Sequence, residues 1–405
     1  MDQSDQLESR FAVPGDGAAP DTATTSGLEM LRRSETARLA LLDEIGRKRD
    51  SFVITYMTSF REGLSTSIYD EDVRILESHI DKAVKAGSKN IDLFLCTHGG
   101  AAVMPWNFHA MFRDYLPKGR LGVFVPFEAY SAGTSISLGA DEIIMGRSSV
   151  LGPTDTQMLR HDMYKRIGVN DLSGFMWLLK DFGGKGRLDD KKVLEWLTQN
   201  ADPLVLGSVY RVWKENRRKV LNAINSRRKP LTPKEAEQIA DFFLYEVGIH
   251  GQGIRRREAV DAGVNFITML EDSGLEDQSM RLFDLYADIL KYFSPFTRAK
   301  VLDPDMRQEG DHLDFDVNGN YAAHTPVVMI ESQFETNPAF IAYGSDRHWN
   351  QPPRMDPQRP GTDVEKEPSP PVGVYGATPA LDLSWSRQMH EPSPSRTNGK
   401  SPFRR

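Results

Sequence analysis

The chain has a single cysteine, Cys96, among its 405 residues. An internal disulfide and a multi-cysteine zinc site are both excluded by that count. Cys96 stands inside an apolar stretch, IDLFLC, and reads as a core residue. Long apolar runs are missing as well: the chain opens MDQSDQLESR, with nothing that reads as a secretory signal, and no transmembrane helix is evident. The expectation is a cytoplasmic protein with no membrane span. An excess of positive charge is also lacking, since 50 Lys and Arg stand against 57 Asp and Glu for a formal charge of −7. A general nucleic-acid footprint is therefore not expected, and the basic islands Arg227–Lys229 and Arg255–Arg257 read as solvated helix faces or turns. No Gly-x-Gly-x-x-Gly follows a strand, the glycine-rich Phe182–Gly186 has no strong strand before it, and no lysine context suggests a pyridoxal phosphate anchor. No cofactor and no metal are expected.

What is present falls into four parts. Residues 1–29 are rich in Asp, Gly, Ala, Thr and Ser, and residues 345–405 are dense in Pro, Arg, Ser and Asp. Both read as disordered arms, because they have no apolar periodicity with which to offset ordering entropy. Between them, residues 30–160 alternate strand and helix, whereas 161–344 carry mostly helical periodicity. Residues 28–48 read as one amphipathic helix, followed by the strand FVITYM from Phe52. Asp70 reads as the N-cap of a helix through Ala86, Ile91–Cys96 as a strand, and Pro105–Leu116 as a helix. Leu121–Val125 and Ile143–Met145 are further strands, and the short spacing throughout indicates parallel βαβ units, with apolar strand runs that need cover on both faces. Thr232–Glu235 is a capping box that opens a helix to about Tyr245, and Val327–Ile330 reads as one last short strand.

The chain is organised around Phe124–Gln157, where a buried strand runs into a sharp turn with Ser131 at its apex, followed by the small residues Ala132, Gly133, Thr134 and Ser135. A serine so placed suits a nucleophile, although a tight packing turn would use the same residues. Acyl transfer needs a nucleophile, a proton acceptor and two donors aimed at the oxyanion. Ser131 can be the first. Gly99 and Gly100, at the carboxyl end of the preceding strand, can bring bare backbone N–H groups to a substrate, and the amide of Ala132 can supply another donor. Both sets fall at carboxyl ends of successive strands, where open α/β sheets place their sites.

These motifs, a strand ending in Gly-Gly, then Ser-Ala-Gly-Thr, then Gly-Ala-Asp-Glu-Ile-Ile-Met and Leu-Gly-Pro-Thr-Asp, resemble the Clp-protease-like superfamily. More narrowly, the chain resembles the serine dehydrogenase proteinases, relatives of the Clp proteolytic subunit and signal peptide peptidase A. The resemblance covers residues 50–160, and more weakly extends to about 270. It implies a crotonase-like core of stacked βαβ units with a mainly helical C-terminal extension. It also implies Ser131 as nucleophile, an oxyanion hole framed by Gly100 and Ala132, and a homo-oligomer.

The general base departs from the pattern. Where the Clp proteolytic subunit carries a histidine after the serine helix, this chain reads Val150-Leu151-Gly152-Pro153. His250, in a glycine-flanked loop within the weaker part of the resemblance, is the first substitute. His161, Lys180 and Lys185 are the other candidates, and Asp155 can orient a base or cap the turn after Pro153. His98 can point into the cleft or away from it. The reading is a serine peptidase that takes a peptide or protein substrate through an acyl-enzyme. A catalytically silent scaffold and a crotonase-like acyl-thioester enzyme are the alternatives.

Overall fold

In a computed structural model of the chain, the described residues are 27–61, 64–154, 157–160, 165–168, 195, 199, 203–247, 251–293, 325–341 and 347–349. The strands, in chain order, are β1 (Phe52–Thr58), β2 (Phe60–Arg61), β3 (Leu64–Ser65), β4 (Asn90–Cys96), β5 (Arg120–Val125), β6 (Glu128–Ala129), β7 (Glu142–Met145) and β8 (Val150–Leu151). They continue with β9 (Gln157–Arg160), β10 (Lys165–Gly168), β11 (Ile254–Arg255), β12 (Ile267–Met269), β13 (Val328–Ser332), β14 (Glu335–Ile341) and β15 (Arg347–Trp349). The α-helices are α1 (Gly27–Arg33), α2 (Glu35–Arg49), α3 (Asp72–Lys85), α4 (Met104–Tyr115), α5 (Ala132–Leu138), α6 (Pro203–Asn225), α7 (Pro233–Asp241), α8 (Arg256–Asp261) and α9 (Glu276–Leu290).

The fold is α/β. Its main sheet has eight strands in the order β12-β7-β5-β4-β1-β13-β14-β15. Pairing is parallel from β12 to β1 and antiparallel from β1 to β15. Because side chains alternate across a strand, β1 and β4 feed two cores at once. Phe52, Ile54, Tyr56, Leu93 and Leu95 meet the layer that holds α3, α4 and α5, while Val53, Met57, Phe94 and Cys96 meet α1, α2 and α9. Cys96 is wholly buried, and burial pushes its thiol up to about 12.

Several elements differ from their sequence reading. The helix expected over 28–48 is two, α1 and α2, with Ser34 between them. The Ser34 hydroxyl bonds the Met30 carbonyl at 2.6 Å, and it also accepts from the buried Arg38 guanidinium. α3 begins two residues past Asp70, because the Asp72 carboxylate takes the Tyr69 N–H at 2.9 Å and the Tyr56 hydroxyl at 2.5 Å. After Asp241 the α7 helix widens into a π-helical turn, Phe242–Glu246. The segment expected to be helical also supplies β10 to β14, and Arg347–Trp349, inside the expected tail, form β15. Arg227, read as solvated, is buried with its guanidinium 3.2 Å from the centre of the Phe266 ring, and Arg256 pairs with Glu271 at 2.6 Å. The Thr232–Glu235 capping box forms as expected, with both reciprocal bonds present.

At the amino ends of the parallel strands, Asp92 is buried between two guanidiniums, Arg120 at 2.7 Å and Arg49 at 3.0 Å. Burial raises the pKa of this carboxyl, but the hydrogen bonds from Arg49 and Arg120 outweigh it and hold the carboxyl below its ordinary value. A depressed carboxyl contributes stability that is present above its unfolded pKa and is lost as pH falls through the folded one. Asp92→Asn removes that term. The melting temperature of the variant is expected to lie below wild type at about pH 7, and the gap to narrow as pH drops below about 4. A gap that stays constant down to about pH 3 would show that the carboxylate charge is not what matters there.

Candidate active site

The turn that carries Ser131 is pinned from both sides. β6 pairs with β8 through Glu128↔Val150 and Ala129↔Leu151. On its other side, Thr97 at the end of β4 donates its N–H to the Glu128 carbonyl and accepts from the Tyr130 N–H, both at 2.9 Å. Held in this way, Ser131 takes φ 51° and ψ −110°, a left-handed conformation that non-glycine residues rarely adopt. Such a backbone costs on the order of 1–3 kcal/mol and persists only where the surroundings over-determine it. α5 starts at the next residue, and all seven of its residues are buried. The Ser131 hydroxyl does not cap that helix and has no hydrogen-bond partner among the described residues.

The two glycines face this turn in different ways. A Cβ on Gly99 would stand 2.8 Å from the Ser131 Cβ and 3.1 Å from the Ala132 nitrogen, so only glycine allows that approach. The Gly99 N–H is already used, bonded to the Thr97 hydroxyl at 3.0 Å. Gly100 forms a parallel bridge with Ile68: the Ile68 N–H donates to the Gly99 carbonyl at 2.8 Å, and the Ala101 N–H donates to the Ile68 carbonyl at 2.9 Å. In such a bridge the central residue turns its own N–H and C=O the other way. The N–H groups of Gly100 and Ala132 have no acceptor among the described residues.

Around this turn the chain is locked by residues that the sequence reading did not single out. The Thr134 hydroxyl donates to the Ala129 carbonyl at 2.6 Å and accepts the Gly152 N–H at 3.1 Å, which ties α5 to β6 and to the end of β8. A Cβ on Gly152 would meet the Tyr130 ring at 2.1 Å, and one on Gly253 would lie 3.1 Å from the Tyr130 hydroxyl. Gly253 therefore reaches the serine turn, anchored by the Ile254↔Leu151 pair of β11 and β8. Nothing in a lone Thr or Tyr at these positions marks it in the sequence, since its role comes from what the chain folds against it.

His250, Asp155, His161, Lys180 and Lys185 lie outside the described residues. The flanking chain is described. Thr154, one residue before Asp155, donates its N–H to the Phe243 carbonyl at 2.9 Å and accepts from the Asn216 side chain at 2.8 Å. His98 turns to the sheet face that holds Phe60, Phe127 and Tyr292, where it bonds Glu128 at 2.7 Å and stacks on Phe60 at 4.6 Å. His79 sits between Ser332 at 2.7 Å and Asn337 at 2.8 Å, an order of side chains that looks like a triad. All three are buried, so no substrate reaches them, and the group fastens the β13–β14 hairpin to α3. Burial lowers His109 to about 4, so its neutral ring serves as a packing group against α5. Among the described residues no cluster of three or more His, Cys, Asp and Glu could hold a metal ion, and no helix is long and apolar enough to cross a membrane.

Residues 26–168 match the model of a family described as ClpP-like SDH-type serine proteinase. The similarity is to that segment, about a third of the chain. The matched segment holds Ser131 and both glycines, whereas His250 lies beyond it. An uncharacterized protein of Methanocaldococcus jannaschii is 35% identical over 131 residues, 31% of this chain and 45% of that one. A second from the same organism is 33% identical over 135 residues, 32% of this chain and 45% of that one. The chain thus spans about half the length of the curated relatives it matches. Among solved structures, a variant of the 1510-N membrane-bound stomatin-specific protease is 15% identical with a TM-score of 0.34, over 56% of this chain and 84% of that one. ClpP1 from Listeria monocytogenes is 14% identical with a TM-score of 0.30, over 56% of this chain and 96% of that one.

Proposed function

We propose that this chain is a serine peptidase that cleaves peptide bonds through an acyl-enzyme on Ser131. The observation that carries the reading is the backbone of Ser131, held at φ 51° with its hydroxyl unpartnered among the described residues, beside the N–H groups of Gly100 and Ala132, which have no acceptor among those residues. Strain of this kind is maintained at a turn only by its surroundings, and it presents an oxygen that a relaxed turn would bury or cap.

In the reaction, an extended peptide lies along Gly100, whose N–H and C=O face away from Ile68. Ser131 Oγ attacks the scissile carbonyl carbon while its proton passes to a base, for which His250 oriented by Asp155 is the candidate. The Gly100 and Ala132 N–H groups donate to the developing oxyanion. Collapse breaks the C–N bond, the base returns the proton to the departing amine, and water then hydrolyses the ester by the reverse use of the same groups. Support for His250 is the approach to Tyr130 of Gly253, three residues on in the chain. The protein is proposed to act in the cytoplasm as a homo-oligomer on a peptide or protein substrate, without cofactor or nucleic acid.

The test is labelling by a fluorophosphonate probe. The wild-type chain is expected to label, Ser131→Ala to lose all labelling, and His250→Ala to lose about a hundredfold or more in rate while keeping its circular dichroism. A folded wild-type chain that stays unlabelled would point to a scaffold. Turnover of an acyl-thioester that survives Ser131→Ala would point to a crotonase-like enzyme.

A further inference from the structure

Thr97 touches the chain on three sides of Ser131. Its Oγ1 accepts the Gly99 N–H at 3.0 Å, and its backbone bonds Glu128 and Tyr130 on either side of β6. Its Cγ2 lies where a Cβ on Gly133 would meet it at 2.4 Å, so the methyl group rests on the first turn of α5. One buried residue therefore sets the height of the Gly-Gly strand and the serine helix through its side chain, and of the serine turn through its backbone. Its rotamer is held in turn by Thr58, whose hydroxyl donates to Thr97 Oγ1 at 2.7 Å across the ends of β1 and β4. Neither hydroxyl is exposed, so neither reaches a substrate.

We propose that Thr97, with its rotamer fixed by Thr58, is a positioning residue for the oxyanion donors. This rests on the reading of Ser131 as nucleophile. A threonine oxygen that bonds the N–H two residues on forms a side-chain turn, and here it ties up the amide of Gly99. Two consequences follow for chemistry. Gly99 is removed as a donor, and the His98–Gly99 peptide is fixed next to the Gly99–Gly100 peptide, whose carbonyl accepts from the Ile68 N–H so that the N–H of Gly100 points away from Ile68. Without the bond, the peptide before Gly99 is free to turn its N–H toward the bound carbonyl or away from it, and donor geometry at the transition state becomes variable.

The hydroxyl and the methyl group of Thr97 can be separated experimentally. Thr97→Val keeps the shape against Gly133 and removes the acceptor, whereas Thr97→Ser keeps the acceptor. Thr97→Val is expected to lower the rate constant of fluorophosphonate labelling, and kcat on any peptide that the wild type cleaves, by about tenfold or more with KM within about twofold. Thr97→Ser is expected to recover most of that loss. Thr58→Val, which loosens the rotamer and leaves the acceptor in place, is expected to lose about threefold. The control is Thr55→Val, which deletes another buried β1 hydroxyl, one that lies 3.1 Å from Tyr286 Oη, and is expected to change melting temperature without changing the labelling rate.

A folded Thr97→Val that labels at the wild-type rate, or a Thr97→Ser no better than the valine, would overturn the proposal and leave Ser131 standing. Should Thr97→Val fail to fold, a wild-type rate in Thr58→Val would overturn it instead. A wild-type chain that never labels would overturn the reading of Ser131 and this proposal with it.

Discussion

Gly100→Ala is expected to reduce fluorophosphonate labelling of Ser131 by about a hundredfold or more, a loss comparable to removing an oxyanion donor outright. The cause is steric and backbone-borne. A Cβ at this position would stand 2.3 Å from the Ile68 carbonyl oxygen and 2.4 Å from the Ile68 nitrogen. Neither atom belongs to a flexible side chain, and Ile68 is fully buried in the core beside Leu95 and Ala101. The strand end must therefore leave Ile68, which turns the Gly100 N–H out of place and breaks the two backbone bonds of the bridge. Overpacking of this kind also costs on the order of 1–3 kcal/mol in stability. The comparison is Gly207→Ala in α6, where an added Cβ meets nothing within 4 Å, and labelling there is expected to be unchanged. Equal labelling by Gly100→Ala and wild type would mean that the Gly100 amide is not a donor to the reaction.

The largest loss of stability is expected from Glu331→Ala, about 3–5 kcal/mol by urea unfolding at neutral pH. Glu331 on β13 is wholly buried and accepts from four groups. Arg38 Nε donates at 2.7 Å and its Nη2 at 2.9 Å, Thr336 donates at 2.7 Å, and the Tyr286 hydroxyl completes the set. Removing the carboxylate leaves the Arg38 guanidinium, 1% exposed, as an uncompensated buried charge. Burial and the charge of Glu331 hold the Tyr286 phenol well above its ordinary pKa, so it stays a neutral donor. Converting Arg38 and Glu331 together to methionine is expected to cost less than Glu331→Ala alone, because no charge is then left unpaired. A loss below about 1 kcal/mol for Glu331→Ala would mean that water reaches Arg38. The network joins α2, α9 and the β13–β14 hairpin, and β13 pairs with β1, whose last residue is Thr58. Labelling per folded molecule is expected to be retained in Glu331→Ala, since none of its partners touches the serine turn.

The parallel half of the sheet was readable because each of its strands carries its own signal. FVITYM, IDLFLC and LGVFV are apolar but for Thr55 and Asp92, and a strand buried on both faces needs nothing else to declare itself. The antiparallel half was not. β14 reads ETNPAFI, with a polar start and an internal proline, and it is a strand because β13 pairs with it from Ser332↔Glu335 to Val328↔Ala339. Arg227 was misread for a similar reason: the aromatic face that covers it belongs to Phe266, which is distant in sequence.

Of the candidate site, the residue types were legible and their division of labour was not. Gly99 and Gly100 looked equivalent as donors, yet the fold commits the first N–H to Thr97 and frees the second by pairing its neighbours to Ile68.

By itself, then, the sequence determined the apolar strands, the capped helices, and a serine followed by residues too small to cover it, because these depend on local periodicity and side-chain size. Only the tertiary structure decided the strand order, the positive φ of Ser131, the burial of Arg38 and Arg227, and which backbone amides remain unpaired. Hydrogen-bond satisfaction is a property of neighbours, and the neighbours of Gly100, Ser131 and Thr97 come from separate strands that meet only when the sheet is assembled.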